Sequence, residues 1–352
     1  MSNKTKKLLV VGGGRSIHTY NFISLVKDYF ADVVLLTDYD NKDHTQIKKK
    51  IINFSFANPF NALRSVFAIK RFIQTLKPDF IVCYQVDTAA FMTMLCASRR
   101  IPSLIIAMGS DVLINTKRGL PYRLMIKYVL KRGKYFNAGS QPMIDAMQKI
   151  SKRKIDVVLA NLGINPIEPK AKQNIVFSNR LHTPLYRIEE IIKGFARFVN
   201  QNQRSDWQLV VAATGNEENL QRLAQSLGIN GQIKFVGWLS KEENAHFYAI
   251  SRLWISLPQS DSISISLMEA MSAECVPVVS DVAAVKGVIT NGINGIIVSD
   301  FDNNFLEEAL KIDNAALRSS NRSFALTFGS KDANRNKFYE IFDKEFRNES
   351  SQ

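Results

Sequence analysis

The 352-residue chain is long enough for two domains, and its 46% apolar and 22% charged residues are typical of a globular protein. No run of eighteen apolar residues occurs, and the three cysteines show neither a disulfide framework nor a metal-ligand spacing. The charge of +14 is uneven, because residues 1–160 hold 26 Lys and Arg against 10 Asp and no Glu. The first half is therefore predicted to face a polyanion, either a nucleic acid or an acidic membrane surface; a solvated lysine-rich face is the alternative.

The chain opens with a strand, a glycine turn, a helix and a second strand. An apolar strand at 6–11 runs into three glycines, which favours a strand and turn over a cleaved signal peptide. Apolar residues at helical spacing follow over 17–30, and residues 32–37 form the second strand. This order is typical of the start of a parallel α/β domain.

The glycine turn has two interpretations. A dinucleotide fingerprint taken from Gly12 and Gly14 would need glycine at Ile17, although Asp38 stands where the ribose-binding acid belongs. The other interpretation is a diphosphate held near Gly13, Gly14 and Arg15, where glycines permit close approach at a helix start.

A Phe-rich stretch and a basic stretch stand out in the remainder of the first half. Strands are predicted at 79–84, 103–107, 137–140 and 156–159. Residues 51–73 are rich in Phe, which favours a core helix, with a loop entering a membrane interface as the alternative for 54–60. Residues 117–134 are basic.

A helix predicted from Pro121 to 134 would place four cations on one face, at Arg123, Lys127, Lys131 and Lys134. The pattern fits contact with an anionic membrane surface or a solvated basic face. The sequence holds no zinc-finger spacing, RNA-binding signature or clear helix-turn-helix, so no nucleic-acid partner is predicted.

The second half repeats the strand–helix alternation after a Pro-containing linker at 161–172. Strands are predicted at 174–177, 207–212, 232–236, 253–257, 275–279 and 296–298, and helices at 188–199, 241–250 and 334–346. Two such sheets in succession predict a bilobed enzyme with its ligand at the carboxyl ends of the strands, in the cleft between the lobes.

The stretch from Gln259 to Asp281 places two acids on either side of a helix start. Asp261 lies in a Ser-rich turn and Glu269 in the helix that follows. Unpaired N–H groups at a helix start can hold an anionic ligand, so one interpretation is a site for a phosphorylated or sugar-bearing ligand. The other is an N-cap Asp and a buried, paired Glu.

Taken together, these residues resemble a known family. One part of the sequence is similar to the signature of retaining GT-B-fold glycosyltransferases of family four. It consists of Asp261, seven further residues, Glu269-Ala270-Met271 and later Pro277-Val278-Val279. The landmarks Arg180, Gly215 and Gly237-Trp238 stand in the family's order after successive strands. The first half resembles the family's acceptor domain more weakly, through the Gly14 turn and Gly109-Ser110-Asp111.

The resemblance implies roles for individual residues. Glu269 would bind ribose hydroxyls, and Asp261 would bind hydroxyls of the transferred sugar. Arg180 would neutralise the departing diphosphate, a charge that grows in the transition state. The backbone amides of the helix start would meet the sugar and diphosphate, at Ser262, Ile263, Ser264 and Leu267. Backbone at Gly215, Gly237 and Trp238 would line the remaining donor site, with Gly237 and Trp238 facing the base.

The chain departs from the family pattern at four points. Asp261 replaces a Glu, and Leu185 stands where the family has a Lys, a role that Arg187 would then take. Glu274 replaces a Gly at a helix end, which costs about 1 kcal/mol if its φ is positive. Met108 stands where a His is common, so no side-chain base is identified. His18 and Asp111 are the candidates for acceptor contacts, with a core or capping role as the alternative.

The predicted architecture is α/β, with two Rossmann-like parallel-sheet domains of the GT-B type facing across a cleft. Residues 1–165 form the basic acceptor domain, 166–330 the nucleotide-sugar domain, and 331–352 a terminal helix that packs back on the first domain. The predicted activity is retaining, metal-independent transfer of a hexosyl or N-acetylhexosaminyl group from a UDP-sugar.

The predicted acceptor is a hydroxyl of a lipid-linked glycan or of a lipopolysaccharide or capsule precursor. The predicted location is the cytoplasmic face of the cell membrane, and no cofactor is expected. The alternatives are an NAD-dependent oxidoreductase that uses the glycine turn and a non-catalytic polyanion-binding protein on the same fold.

Overall fold

The computed structural model describes residues 3–261 and 264–349. The chain divides into two compact units. The first unit contains the chain up to Gly163 together with the segment from Asn334 onward, and the second unit is Ile164–Ala333.

Parallel strands form one sheet in each unit. The strands are β1 (Asn3–Val11), β2 (Phe30–Thr37), β3 (Lys48–Ile51), β4 (Phe80–Tyr84), β5 (Ser103–Ile106), β6 (Tyr135–Ala138), β7 (Val157–Leu159), β8 (Gln173–Ser178), β9 (Gln208–Ala212), β10 (Ile233–Gly237), β11 (Ser251–Ser256), β12 (Val276–Ser280) and β13 (Ile296–Val298). The first sheet has the order β3-β2-β1-β4-β5-β6-β7, and the second has the order β10-β9-β8-β11-β12-β13.

Helices connect the strands. They are α1 (Ile17–Val26), α2 (Pro59–Leu76), α3 (Thr88–Cys96), α4 (Ser110–Leu113), α5 (Leu120–Arg132), α6 (Gln141–Ser151), α7 (Ile188–Asn202), α8 (Glu217–Ser226), α9 (Lys241–Ile250), α10 (Ile265–Ser272), α11 (Phe305–Ile312), α12 (Ala315–Phe324) and α13 (Lys331–Glu349). Within the described ranges, no helix combines the length and apolar character needed to cross a bilayer.

Apolar side chains cover both faces of each sheet, as parallel sheets require. In the first unit, α2, α3, α5 and α6 pack on one face, while α1 and α13 pack on the other. In the second unit, α7, α8 and α11 pack on one face, while α9 and α10 pack on the other. The predicted α/β class with two parallel-sheet domains is confirmed.

The terminal helix α13 belongs to the first unit for most of its length. Phe338, Phe342 and Phe346 are buried in the cluster that α1 also lines. The Tyr29 hydroxyl donates to the Asp343 carboxylate at 2.6 Å. A terminal segment that follows the second unit therefore completes the core of the first.

Strand β3 was absent from the sequence prediction, since its sequence is KKKI. It lies at the edge of the sheet, where lysines are tolerated and hinder pairing with other chains. The Lys49 side chain is only 7% exposed and pairs with Asp40 at 3.0 Å. The pairing of Lys49 with Asp40, together with that of Lys48 with Asp32 at 2.8 Å, allows a polar segment to join the sheet.

Candidate active site

The second sheet has a topological switch point between β8 and β11. These two strands are neighbours, but the chain leaves β8 for β9 and β10 on one side before it returns to β11 on the other. Open parallel sheets bind ligands outside the carboxyl ends of the strands at such a point. Arg180 follows β8 and Asp261 follows β11, so both lie at the carboxyl ends of these neighbouring strands.

Arg180 and Asp261 form an ion pair through Nη2 and Oδ2, with side chains 14% and 22% exposed. Arg180 Nε also donates to the Ser256 hydroxyl at 3.0 Å, and its guanidinium lies over the Tyr186 ring at 4.7 Å. The two residues assigned separate roles from the sequence are therefore in direct contact. Ser256 and Tyr186 hold the guanidinium in place, and the sequence interpretation missed both.

Helix α10 begins next to this pair. Ser264 is its N-cap but makes no side-chain capping bond, and its hydroxyl is buried with no partner among the described residues. The first backbone bond of the helix runs from Met268 N–H to the Ser264 carbonyl at 3.3 Å, so earlier amides of the turn have no helical acceptor. The Leu267 side chain is buried in the core, which leaves only its amide for a ligand. Ser262 and Ile263 lie outside the described residues.

Glu269 lies one turn further along α10 and is partly buried. Burial raises the pKa of its carboxyl group, while a hydrogen bond with Tyr248 and the charge of Lys331 oppose the rise. The Tyr248 hydroxyl also accepts a 2.7 Å bond from the Asn179 amide, whose carbonyl accepts from Trp254 Nε1 at 3.1 Å. This buried network, absent from the sequence interpretation, connects the residue before Arg180 with the helix that carries Glu269.

The carboxyl end of α10 has the geometry of a Schellman motif. The Cys275 N–H donates to the Ala270 carbonyl at 2.9 Å, and the Glu274 N–H donates to the Met271 carbonyl at 3.1 Å. Glu274 adopts a left-handed φ of 64°. The condition stated from the sequence, a positive φ at this non-glycine position, is therefore met, and the backbone strain belongs to the helix that carries Glu269.

Arg187 also approaches the switch point. Arg187 occupies the N-cap position of α7. Its Nη1 donates weakly to the Pro258 carbonyl at 3.5 Å, in the loop that leads from β11 to Asp261. Its guanidinium lies over the Phe301 ring at 5.1 Å. The structure therefore brings Arg187 to the same loop as the Arg180–Asp261 pair.

Two glycines lie at the carboxyl ends of β9 and β10: Gly215 follows β9, and Gly237 is the last residue of β10. A Cβ at Gly215 would lie 2.4 Å from the His182 carbonyl oxygen, so glycine is required here by close backbone packing. Gly237 ends β10, and the Trp238 side chain that follows is 73% exposed. An exposed indole at the carboxyl end of β10 is available to a ligand.

The glycine turn of the first unit is engaged by the protein itself. Gly14 N–H donates to Asp38 Oδ1 at 3.1 Å, and a Cβ at Gly14 would lie 2.2 Å from the Tyr39 carbonyl oxygen. The Arg15 guanidinium lies over the Tyr39 ring at 4.5 Å. The Gly14 amide and Asp38 therefore satisfy each other, which weakens both the diphosphate and the dinucleotide interpretations at Gly14 and leaves Gly13 and Arg15 as predictions.

Of the two acceptor candidates, His18 is exposed in the first turn of α1, whereas Asp111 is fully buried. The Asp111 carboxylate accepts from the amides of Val86, Met108, Gly109 and Val112 at 2.8–3.1 Å. Burial raises its pKa against these four bonds. The prediction that Asp111 contacts an acceptor is corrected, because the side chain anchors the loop after β5 and has no exposed surface.

A second acid near Asp111 escaped the sequence interpretation. Asp87 follows β4, beside the switch point between β1 and β4 of the first sheet, and its carboxylate caps α3 by accepting from Ala90 N–H at 3.0 Å. Burial raises its pKa to about 6, and nearby Asp111 and Asp38 add to the rise. Gln85, two residues earlier, has a positive φ of 101°. Strained residues of this kind cluster at functional sites.

One of the four predicted membrane-facing cations is corrected. Helix α5 ends at Arg132 and is capped at Gly133, so Lys134 is outside it. Lys134 Nζ pairs with Glu345 of α13 at 2.6 Å, and α13 packs on the opposite face of the sheet from α5. Arg123 and Lys131 remain exposed on α5, and Lys127 is partly exposed.

Among the side chains that the structure describes, no group of three or more His, Cys, Asp or Glu residues is arranged to hold a metal ion. Two family models match parts of the chain. The family model "Glycosyl transferases group 1" matches residues 163–312, which include the switch point of the second sheet. The model "Glycosyl transferase 4-like" matches residues 7–140.

A curated relative and two solved structures are similar along most of the chain. An uncharacterized glycosyltransferase of Methanocaldococcus jannaschii is 23% identical over 316 residues, covering 78% of this chain and 76% of the relative. Anabaena HepE, solved in complex with UDP, superposes with a TM-score of 0.78 at 13% identity and covers 97% of this chain and 100% of its own. The lipopolysaccharide outer core galactosyltransferase WaaB gives a TM-score of 0.74 at 15% identity, with 96% and 99% covered.

The two family matches fall on the two units that the fold defines, and the similar structures share both parallel sheets. Their identities are low, so the structural likeness concerns the fold, while the family models and the curated relative concern the activity. The chain belongs to the GT-B glycosyltransferases.

Proposed function

We propose that the second unit binds a UDP-sugar and that the enzyme transfers the sugar, with retention of configuration, to a hydroxyl group of a glycan acceptor. The observation that carries the proposal is the convergence of Arg180, Asp261 and the start of α10 at the switch point, with Glu269 one turn along the helix. These groups provide a cation, helix-start amides and carboxylates beside the carboxyl ends of β8 and β11. A nucleoside diphosphate sugar carries matching phosphates and hydroxyls.

Each group has a proposed role. Arg180 neutralises the diphosphate as it departs, assisted by Arg187 in the place of the family's Lys. Amides at Ser264 and Leu267 contact the phosphates, and Asp261 accepts hydrogen bonds from sugar hydroxyls. Glu269 accepts from the ribose hydroxyls, and it does so most strongly as an ionised carboxylate. The bond from Tyr248 and the charge of Lys331 favour that ionised form.

UDP is proposed as the nucleotide partly because Anabaena HepE was solved with UDP and with UDP-glucose. Trp238, exposed after β10, is the side chain proposed to face the base. A hexosyl or N-acetylhexosaminyl group is the proposed cargo, and the reaction is proposed to need no metal ion. Activity that survives a chelator would support metal independence, and an α-linked product from an α-linked donor, identified by NMR, would support retention of configuration.

The acceptor is proposed to be a lipid-linked glycan or a lipopolysaccharide or capsule precursor at the cytoplasmic face of the cell membrane. The support is the basic first unit, where α5 exposes Arg123 and Lys131 and contains no acid. An anionic surface attracts such a helix, and salt weakens the attraction.

Binding of UDP-, GDP- and ADP-sugars, followed by thermal melting and then by turnover, tests the proposal. We expect UDP-sugars to raise the melting temperature of the wild type. Glu269→Gln and Arg180→Ala should lose the shift, while Glu307→Gln, which changes a partly buried acid of α11 that pairs with Arg204, should keep it. Normal turnover in the first two variants would contradict the site assignment.

A further inference from the structure

Helix α2 presents an apolar face to solvent. Phe60, Leu63 and Phe67 are 79%, 55% and 62% exposed. At about 100° of rotation per residue, these three side chains fall within roughly 60° of one another. The opposite side of the helix faces the core through Ala62, Ser65, Ile69 and Ile73. The outward face is therefore a continuous apolar stripe along the first half of the helix.

The same outward arc carries positive charge and no negative charge. Arg64, Lys70 and Arg71 are exposed and flank the stripe. No Asp or Glu occurs between Asp43 and Asp79, so nothing on the helix or its flanks offsets these cations.

Neighbouring helices continue this surface. Helix α3 lies between α2 and α5, with the Phe91 ring 6.0 Å from Phe56 and 5.3 Å from Tyr128. At the start of α5, Leu120 and Leu124 are 67% and 55% exposed. None of α2, α3 and α5 contains an acid, so three adjacent helices expose only apolar, neutral and basic side chains.

Single exposed apolar residues are ordinary, but a contiguous set marks an interaction surface. Apolar side chains bordered by cations match the boundary between lipid headgroups and acyl chains in an anionic bilayer. The aliphatic Leu63, Leu120 and Leu124 are interspersed with the aromatic rings, and aliphatic side chains favour acyl chains over the stacked bases of a nucleic acid.

We propose that α2 is a hydrophobic membrane anchor. Phe60, Leu63 and Phe67 insert into the headgroup–acyl boundary, while Arg64, Lys70 and Arg71 contact lipid phosphates. This deepens the membrane contact proposed above, on which it rests, because that contact depends on charge alone. The two mechanisms differ in their response to salt, since screening weakens the cations and leaves the inserted side chains in place.

Flotation of the full-length protein with vesicles tests the anchor. With vesicles of phosphatidylcholine and phosphatidylglycerol, wild-type binding should fall with salt to a residual level. Phe60→Ser and Phe67→Ser should each weaken that residual binding about tenfold, and the pair more than either. Ile293→Ser, which removes a 68% exposed side chain of the second unit, is the matched control and should bind like the wild type.

A depth measurement gives a second readout. The native tryptophans are Trp207, Trp238 and Trp254, all in the second unit. In Phe67→Trp, the emission should shift to the blue on adding vesicles and should be quenched by lipids brominated on their acyl chains. The wild type should show neither change to the same extent.

Three outcomes would overturn the anchor. If the double Phe variant keeps the residual vesicle binding of the wild type while charge variants of α5 bind vesicles poorly, the electrostatic contact remains and insertion is excluded. A wild-type dimer in light scattering that Phe67→Ser dissociates would assign the stripe to a second copy of the chain. Salt-resistant binding of a single-stranded oligonucleotide would assign it to nucleic acid. UDP-sugar binding, measured on the same samples, reports on the proposed function independently of all three.

Discussion

Replacing Asp261 with Asn should make the enzyme bind UDP more tightly while transferring sugar more slowly. The Asp261 carboxylate contacts the Arg180 guanidinium, and a diphosphate that approaches Arg180 must displace or share that contact. Asn keeps the size of the side chain and its acceptor oxygen but removes the charge. The substitution therefore frees the cation for the diphosphate and weakens the bonds proposed to the sugar hydroxyls.

The structure sets the size of the effect. The side chains are 14% and 22% exposed, so the pair is partly shielded from solvent. Two unit charges about 4 Å apart at an effective dielectric constant near 20 interact by about 4 kcal/mol before desolvation is subtracted. With desolvation, about 1–2 kcal/mol remains, which corresponds to roughly 5- to 30-fold tighter UDP binding in Asp261→Asn.

A charge cycle measured by calorimetry with UDP checks the cause. Arg180→Ala leaves a carboxylate near the diphosphate without the guanidinium, so it should bind most weakly. The double variant removes both charges and should recover part of that loss. From the tightest to the weakest UDP binding, the expected order is Asp261→Asn, then wild type, then the double variant, then Arg180→Ala.

A matched pair lies between the segment after α7 and helix α11, where Arg204 contacts Glu307 at 2.7 Å with 29% and 23% exposure. Glu307→Gln should leave UDP affinity unchanged, which separates local charge from a general loss of stability. If Asp261→Asn binds UDP like the wild type, or if the double variant binds no better than Arg180→Ala, the pair is not part of the diphosphate site.

Three further predictions follow from local geometry. Glu274→Gly should raise the free energy of unfolding by about 1 kcal/mol, because glycine adopts the left-handed φ of 64° without strain; urea unfolding measures it, and Glu274→Ala should show no such gain. Asp87→Asn should stabilise the protein at neutral pH by up to about 2–3 kcal/mol, since the folded-state pKa of about 6 makes wild-type stability fall as pH rises from about 4 to 6; urea unfolding across this pH range measures it, and an unchanged pH dependence in the variant would contradict it. Lys127→Glu should weaken binding to anionic vesicles about fivefold at low salt and have little effect at high salt, and equal loss at both salts would contradict an electrostatic role.

The sheets were predictable because their strands are short apolar runs between turn residues. Strand β4, with the sequence FIVCY, is buried throughout. Strands of a parallel sheet that is covered on both faces are apolar on both faces, so they appear in the sequence as continuous apolar runs. Strand β3 was not predictable, since its place at an edge is supported by acids outside the strand that pair with its lysines, Asp40 with Lys49 and Asp32 with Lys48. The end of α5 was missed by two residues, because Gly133 ends a basic pattern that continues to Lys134.

The candidate site was predictable only as a set of types and positions along the chain. Arg180 and Asp261 follow recognisable strands, and the sequence order places both at carboxyl ends. Their contact depends on β8 and β11 being neighbours, which is a property of the strand order. Asn179 and Tyr248 gave no signal, since a buried amide–hydroxyl network has no characteristic spacing. Asp111 failed as an acceptor candidate because burial, which sequence does not report for a single polar residue, removes its surface.

The pairing of Arg180 with Asp261 bears on how the site distinguishes donor from product. In this structure each charge compensates the other, so neither is buried alone. A UDP-sugar offers phosphates to the guanidinium and hydroxyls to the carboxylate, so both groups exchange one set of contacts for another. UDP lacks the transferred sugar, so it offers phosphates to the guanidinium but no sugar hydroxyls to the Asp261 carboxylate. The pair should therefore favour the donor over the product, and Asp261→Asn should reduce the ratio of UDP-sugar affinity to UDP affinity.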